Sequence, residues 1–259
     1  MSGAERGAVL LGGYVRYFVL HWLAERSFVC TLVVSRVAPP LIGLAVWNTA
    51  LPGRSDVATY YAALLLARML TISYENHTFS GRVYSGELAD DLLRPHPVVL
   101  RPLGENLAIR LWHGAMVVPL LLLVGLVAPL ALAPADVALA VPALLLAAAL
   151  RFLFTYTLAL AAFWTQRAHA VVETGNLLVF LLGGEAAPLP LLPDALRPWA
   201  AAMPFRAMSG FPAEVAAGLA SGRDVLLGFG SQLAWLVALA LAAIWVWRAG
   251  VRRYTAVGG

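Results

Sequence analysis

The sequence has no lysine: all 18 of its basic residues are arginine, in a chain of 259 residues. The P-loop of ATPases ends in Gly-Lys-Ser/Thr, so the chain cannot carry that nucleotide site. Enzymes that form a Schiff base through lysine are excluded for the same reason. The chain also has a single cysteine, Cys30, so it cannot form an intrachain disulfide.

Charged residues are scarce as well. They make up 12% of the chain, against 61% hydrophobic residues, whereas a soluble domain is typically about 25% charged. The mean hydropathy is +0.80. The net charge of +4 is spread along the chain without a dense basic stripe, so nucleic-acid binding is not expected. This composition favours an integral membrane protein.

Long apolar runs alternate with short polar breaks along the whole chain. A run of about 20 residues crosses roughly 30 Å of hydrocarbon as a helix. We therefore predict an all-α integral membrane protein, with residues 1–259 as one transmembrane domain. The six predicted spans are 28–50, 57–77, 104–130, 137–163, 171–190 and 224–247.

Two further segments flank or interrupt these spans. Residues 8–27 are apolar and aromatic but carry Arg16 and Glu25, a pattern typical of an N-terminal interfacial helix. Prolines and glycines punctuate residues 191–222, which predicts short helices on the outer side. Counted over the loops, ten arginines fall on one side and four on the other. The positive-inside rule then places both termini in the cytoplasm.

The polar stretch between spans two and three is the best candidate for a functional surface. Ser85 is a good N-cap residue and Pro95 stops a helix, so the pattern predicts a short cytoplasmic helix over 86–94. Its leucines lie near one face, an arrangement suited to docking into a groove of another protein. Four ionisable residues inside spans are candidates for a pathway or for interhelical pairs: Arg36, Arg68, Arg151 and Glu185.

Short motifs in a fixed order carry a family resemblance. They are Gly86-Glu87-Leu88, Leu92-Leu93-Arg94-Pro95, Glu105-Asn106, Ala162-Phe163-Trp164-Thr165, Leu181-Leu182-Gly183-Gly184 and Met203-Pro204-Phe205. With these motifs the chain resembles the permease subunit of an ABC-2-type ABC transporter, in particular a bacterial branch first catalogued as a domain of unknown function. Glu185 departs from the pattern, because it places a charge in the stretch after the paired glycines.

The resemblance implies an exporter of a lipid, an amphiphilic drug or a secondary metabolite in the bacterial cytoplasmic membrane. Two ATPase subunits would bind ATP and magnesium, and a second six-span permease, a copy or a paralogue, would complete the complex among membrane lipids. This chain would then have no catalytic residue, cofactor or metal. The coupling helix would contact the ATPase through Glu87, Leu88, Asp90, Asp91, Leu92 and Arg94. Reversing the charge of Glu87 or Asp91 should abolish transport without disturbing the fold.

Other functions remain open on the residues alone. The run from Glu87 through Asp90 and Asp91 to Arg94-Pro95-His96 is similar to the first motif of UbiA-type membrane prenyltransferases, where acidic residues hold magnesium. That family needs a second Asp-rich loop and about nine spans, which this chain lacks. A non-transporting membrane scaffold is the remaining alternative.

Overall fold

The computed structural model describes residues 3–50, 55–127, 130, 132–189, 192–220 and 222–255. Within them, the side chains of residues 3, 4, 26, 28–30, 32, 33, 35, 36, 48 and 55 lie outside the description. These ranges contain twelve α-helices and no strand, which confirms the all-α prediction. The helices are α1 Gly3–Ala24, α2 Arg26–Ala50, α3 Ser55–Leu70, α4 Glu75–Ser85, α5 Leu88–Leu92, α6 Leu100–Val127, α7 Pro134–Ala159, α8 Ala168–Leu182, α9 Arg197–Ala202, α10 Pro204–Met208, α11 Gly210–Ala216 and α12 Gly222–Val251.

Five described helical stretches are long and apolar enough to cross a membrane, by length and composition. They are Glu5–Ala24, Asp56–Ser85, Leu100–Leu126, Pro134–Phe163 and Gly222–Val251. The predicted count of six is therefore not reproduced. Most of the predicted interfacial helix, 8–27, lies within Glu5–Ala24, which is long and apolar enough to cross a membrane. The fifth predicted span falls short, because α8 ends at Leu182 after 15 residues, about 22 Å of helix.

The second predicted span is a discontinuous helix. It consists of α3 and α4, separated by non-helical backbone at residues 71–74. The first predicted span, 28–50, lies on α2. The described stretch of α2 that qualifies as an apolar helix is shorter than that span and runs over Val37–Trp47. The helix predicted over 86–94 is the shorter α5. The segment predicted as short outer helices contains α9, α10 and α11.

The central helix of the bundle is α7. Its small residues Ala143 and Ala147 are fully buried, which lets α11 and α12 approach it closely. Gln232 of α12 donates a hydrogen bond to the carbonyl of Ala143 at 2.8 Å. On the other side of the molecule, α1 packs along α6, where the indole of Trp112 donates to the carbonyl of Val19 at 3.2 Å.

Two contacts identify which elements share an end of the bundle. The Tyr254 hydroxyl, just after α12, donates to the Gly86 carbonyl at 2.9 Å, so the end of α12 lies beside the turn before α5. At the opposite end, the Gly218 backbone after α11 approaches the Asp136 carboxylate at the start of α7. The bundle therefore separates the α5 surface from the α9–α11 segment.

Candidate coupling surface and charged pairs of the bundle

The turn between α4 and α5 depends on one glycine. Gly86 has φ +82°, a left-handed conformation that glycine adopts without strain and that commonly ends a helix. Ser85 is consequently the last residue of α4 rather than an N-cap, and its hydroxyl lies 3.4 Å from the Arg82 carbonyl. The following helix begins only at Leu88, which is why it is shorter than its sequence pattern indicates.

Arg82 connects α4 to α5 through charged hydrogen bonds. Its Nε donates to Asp91 Oδ2 at 2.9 Å, and its NH1 donates to Glu87 Oε2 at 2.6 Å. Its NH2 also donates to the Glu87 carbonyl at 3.1 Å. Arginine bound to carboxylates in this way fixes geometry as well as charge. The α4–α5 turn is therefore held as one unit by a residue that sequence reasoning did not single out.

Burial divides the six predicted coupling residues into two groups. Leu88 and Asp91 are buried within the chain, at 0% and 2% exposure. Glu87, Asp90, Leu92 and Arg94 are exposed. The most exposed apolar side chain of the turn is Leu93, at 85%, and it was not among the six. We define the coupling surface as Glu87, Asp90, Leu92, Leu93 and Arg94.

Two of the in-span candidates form an ion pair. Arg68 of α3 pairs directly with Glu185 after α8, and both side chains are almost completely buried. The turn that carries Glu185 begins at Gly183 and contains Gly184, whose φ is +90°. The Tyr60 hydroxyl donates to the Gly184 carbonyl at 2.6 Å. The unexpected charge at Glu185 is thus matched by a cation of the same chain.

The other two in-span candidates lie elsewhere. Arg151 of α7 is buried and donates through NH2 to Asn176 Oδ1 of α8 at 2.7 Å. Arg36 lies on α2, and its side chain is outside the described part. A further pair joins α10 to α11: Arg206 donates through Nε to Glu214 Oε2 at 3.0 Å. Neither Arg206 nor Glu214 was predicted as a site residue, because a basic and an acidic residue eight positions apart form no recognisable sequence pattern.

The break between α3 and α4 surrounds a buried polar centre. Without a helix, the Ile72 carbonyl has no intrahelical partner, and it accepts hydrogen bonds from Asn106 Nδ2 at 3.2 Å and Arg110 Nε at 3.0 Å. Asn106 also donates to Glu75 Oε1 at 2.7 Å. Irregular backbone at membrane depth is tolerated where protein groups satisfy it in this way. We call Ile72, Ser73, Glu75, Asn106 and Arg110 the buried polar centre.

A comparison with protein families decides the class. The sequence model of the ABC-2 family transporter proteins matches residues 46–258. The chain belongs to the ABC-2 transporter family. No curated protein and no solved structure matches it.

Membership in the ABC-2 family confirms the resemblance drawn from the short motifs. The chain is a multi-pass membrane protein, and permeases of this family work with ATPase subunits. The match begins at residue 46, so it includes the α4–α5 turn, both charged pairs and the buried polar centre, but not α1.

The acidic run that suggested a prenyltransferase has a different role in this ABC-2 protein. Glu87 and Asp91 both bind Arg82, so two of the three acids are neutralised by a cation of their own chain. Among the described residues, no group of three or more His, Cys, Asp or Glu could hold a metal ion. Through these bonds, Glu87 and Asp91 form part of the α4–α5 turn.

Proposed function

We propose that this chain is the permease subunit of an ATP-driven exporter in the bacterial cytoplasmic membrane. Its substrate would be a lipid, an amphiphilic drug or a secondary metabolite. Family membership supports the transport role. The observation that carries the coupling role is Leu93, an 85% exposed leucine between charged residues in a polar turn. An apolar side chain presented in this way fits a groove on a partner protein.

The coupling surface would dock in a cleft of the ATPase. Leu93 and Leu92 would enter the cleft, while Glu87 and Asp90 would pair with charges at its edge, beside Arg94. Asp91 and Leu88 would not touch the partner, because they hold α5 against its own chain. Orientation by the arginine count places this end of the bundle, with both termini, in the cytoplasm.

The working complex would contain two ATPases and two permeases, as a homodimer or with a paralogue. Support comes from the exposed polar side chains in the first half of α8, since His169 and Glu173 are both exposed there. Asn76 of α4 lies 2.8 Å from His169 Nδ1 and 3.4 Å from Glu173 Oε1. Polar groups facing lipid are costly, so this face suits a second permease or an aqueous path between the two.

Movement of the ATPase would be transmitted from α5 through Arg82 to α4. ATP binding would close the ATPase dimer and displace α5, and the free energy would come from the different affinities of the two partner states for nucleotide. Because α4 is separated from α3 by the break at 71–74, it can change its angle without moving the outer half of the span. Movement of α4 would then open the α8 face.

Substitution of Leu93 tests this function most directly. Leu93→Asp should abolish co-purification of the ATPase and ATP-dependent efflux, because a charge would enter an apolar cleft, while folding is unaffected at an exposed site. Arg223→Glu, an exposed change at the start of α12 on the opposite end, is the matched control and should retain both. Full ATPase binding and efflux in Leu93→Asp would contradict the coupling role.

A further inference from the structure

A recess lies between α1 and the stretch that runs from the end of α5 to the start of α6. Its volume is about 380 Å³. The α1 side chains that line it are Val9, Leu10, Tyr14 and Tyr17, and Arg94 and Arg101 close its other side. Among the residues that the structure describes, no carboxylate lines it. The recess is on the same end of the bundle as the coupling surface, since Arg94 belongs to both.

The polar side of the recess is cationic. The Arg94 guanidinium donates through NH1 to the Tyr14 hydroxyl at 3.4 Å, and that hydroxyl lies 3.2 Å from His96 Nε2. Arg94 is also 4.0 Å from Asp91, but Asp91 is already bound more closely by Arg82, at 2.8 Å. The positive charge of Arg94 is therefore only partly compensated.

The positive charge of Arg101 is compensated even less than that of Arg94. Its guanidinium carbon lies 5.6 Å from the centre of the Phe18 ring, and its Nε is buried without a hydrogen-bond partner among the described residues. The nearest acid on its own helix is Glu105, which acts on Arg101 electrostatically. Glu105 forms no ion pair with it within 4.0 Å in the described part of the chain. A buried donor of this kind is costly unless a ligand accepts from it.

The other side of the recess is apolar and continues outward along α1. Val9 is 65% exposed and Tyr17 is 59% exposed, and the face extends to the exposed Leu20. An apolar helix face beside two guanidinium groups matches a molecule that has an anionic head and a hydrocarbon tail. Free phosphate or a nucleotide would use the arginines and leave the apolar face uncovered.

We propose that this recess binds an anionic phospholipid, with its phosphate between Arg94 and Arg101 and an acyl chain along the exposed face of α1. Tyr14 and His96 complete the polar side as hydrogen-bonding groups for the phosphate and glycerol oxygens. Basic pockets beside membrane helices bind acidic headgroups in this manner. The assignment to the inner leaflet rests on the proposed function, because that proposal places this end of the bundle in the cytoplasm.

Binding is tested on the purified full chain without any ATPase, so that failure here is distinguishable from failure of the exporter proposal. Native mass spectrometry after reconstitution would compare retention of phosphatidylglycerol with that of phosphatidylcholine. In the Arg94→Gln/Arg101→Gln variant, the preference for phosphatidylglycerol should be about tenfold weaker than in the unsubstituted chain. Arg16→Gln removes an exposed arginine of α1 that does not line the recess, and it should leave the preference unchanged.

Two further measurements make the result specific. Arg101→Lys keeps the charge and should keep most of the preference, which also shows that the site tolerates substitution without misfolding. Inorganic phosphate at millimolar concentration should not displace the lipid; displacement would mean that a free anion is the ligand. An unchanged preference in the double variant would overturn the proposal.

Discussion

Arg82 and Asp91 are joined across the α4–α5 turn by a hydrogen bond of 2.9 Å from Nε to Oδ2. Asp91 is almost completely buried, and its second oxygen has no hydrogen-bond partner among the described residues. The carboxylate therefore depends on Arg82 for its charge balance. Since Glu87 binds the same guanidinium, this one arginine determines how α5 is presented to a partner.

The first prediction concerns this pair. Arg82→Gln should lower the free energy of unfolding by about 2–3 kcal/mol, because the buried Asp91 carboxylate loses its close counterion. Asp91→Asn should cost less, because Arg82 keeps its bond to Glu87. The double variant should lose less than the sum of the two, as expected for residues in direct contact. Thermal unfolding of the purified chain in detergent measures all three. Additive losses would show that the two residues act independently.

The second prediction concerns Arg68 and Glu185. Arg68→Met or Glu185→Met alone should destabilise the chain by about 3–5 kcal/mol, because a buried charge would lose its partner. The double methionine variant should recover much of that loss, since replacing a buried pair by apolar groups is often neutral. Melting temperatures of the three variants provide the measurement. If the double variant is the least stable, the pair contributes net stability rather than merely mutual neutralisation.

The third prediction compares two glycines of α12. A Cβ at Gly228 would collide with the ring of Phe211, so Gly228→Ala should separate α11 from α12 and cost about 1–3 kcal/mol. At Gly230, a Cβ would meet no heavy atom within 4 Å. Gly230→Ala should therefore stabilise the helix by roughly 0.5–1 kcal/mol. Opposite shifts in melting temperature are expected, and equal shifts would contradict the close α11–α12 contact.

The fourth prediction concerns the buried polar centre. Asn106→Ala removes donors to the Ile72 carbonyl, to Ser73 Oγ at 3.0 Å and to Glu75 Oε1. It should cost about 1–3 kcal/mol, because buried acceptors are left unsatisfied. Thr174→Ala is the control, since that exposed hydroxyl donates within its own helix, to the Ala170 carbonyl. A loss in Asn106→Ala no larger than in the control would mean that water replaces the amide.

The sequence predicted the helical class, the family and a short helix between the second and third predicted spans, because these depend on composition and local pattern. It did not predict which side of α5 is buried. The leucine spacing placed Leu88, Leu92 and Leu93 together, yet Leu88 is buried and Leu93 is exposed, since the five residues of α5 make little more than one turn. The burial of Asp91 follows from Arg82, nine positions earlier in the chain. Asp91→Arg would consequently disturb the turn itself, contrary to the expectation of an intact fold.

The helix break at 71–74 was also not predictable from hydropathy. Residues 57–77 were predicted as one span, and the groups that stabilise the break, Asn106 and Arg110, lie on a different helix. The end of α8 is a similar case. The predicted span continued to residue 190, but Gly183 and Gly184 follow Leu182, Gly184 adopts a positive φ, and Tyr60 binds its carbonyl. The glycines are a local signal for the end of a helix, whereas the bond from Tyr60 is a tertiary contact.

The hydrogen bond from Tyr254 to Gly86 connects the end of α12 to the α4–α5 turn, so that a movement of the turn could also be transmitted through α12. A helix of 30 residues is about 45 Å long, and here one end is attached to the turn that presents α5. Nearer its other end, Gly228 is in contact with Phe211 of α11. We expect an axial displacement of α12 to reach the α9–α11 segment directly, without passing through α3 or α4. Paired spin labels on α5 and α11 that change their separation in step with an α12 label would demonstrate this second route, and independent changes would exclude it.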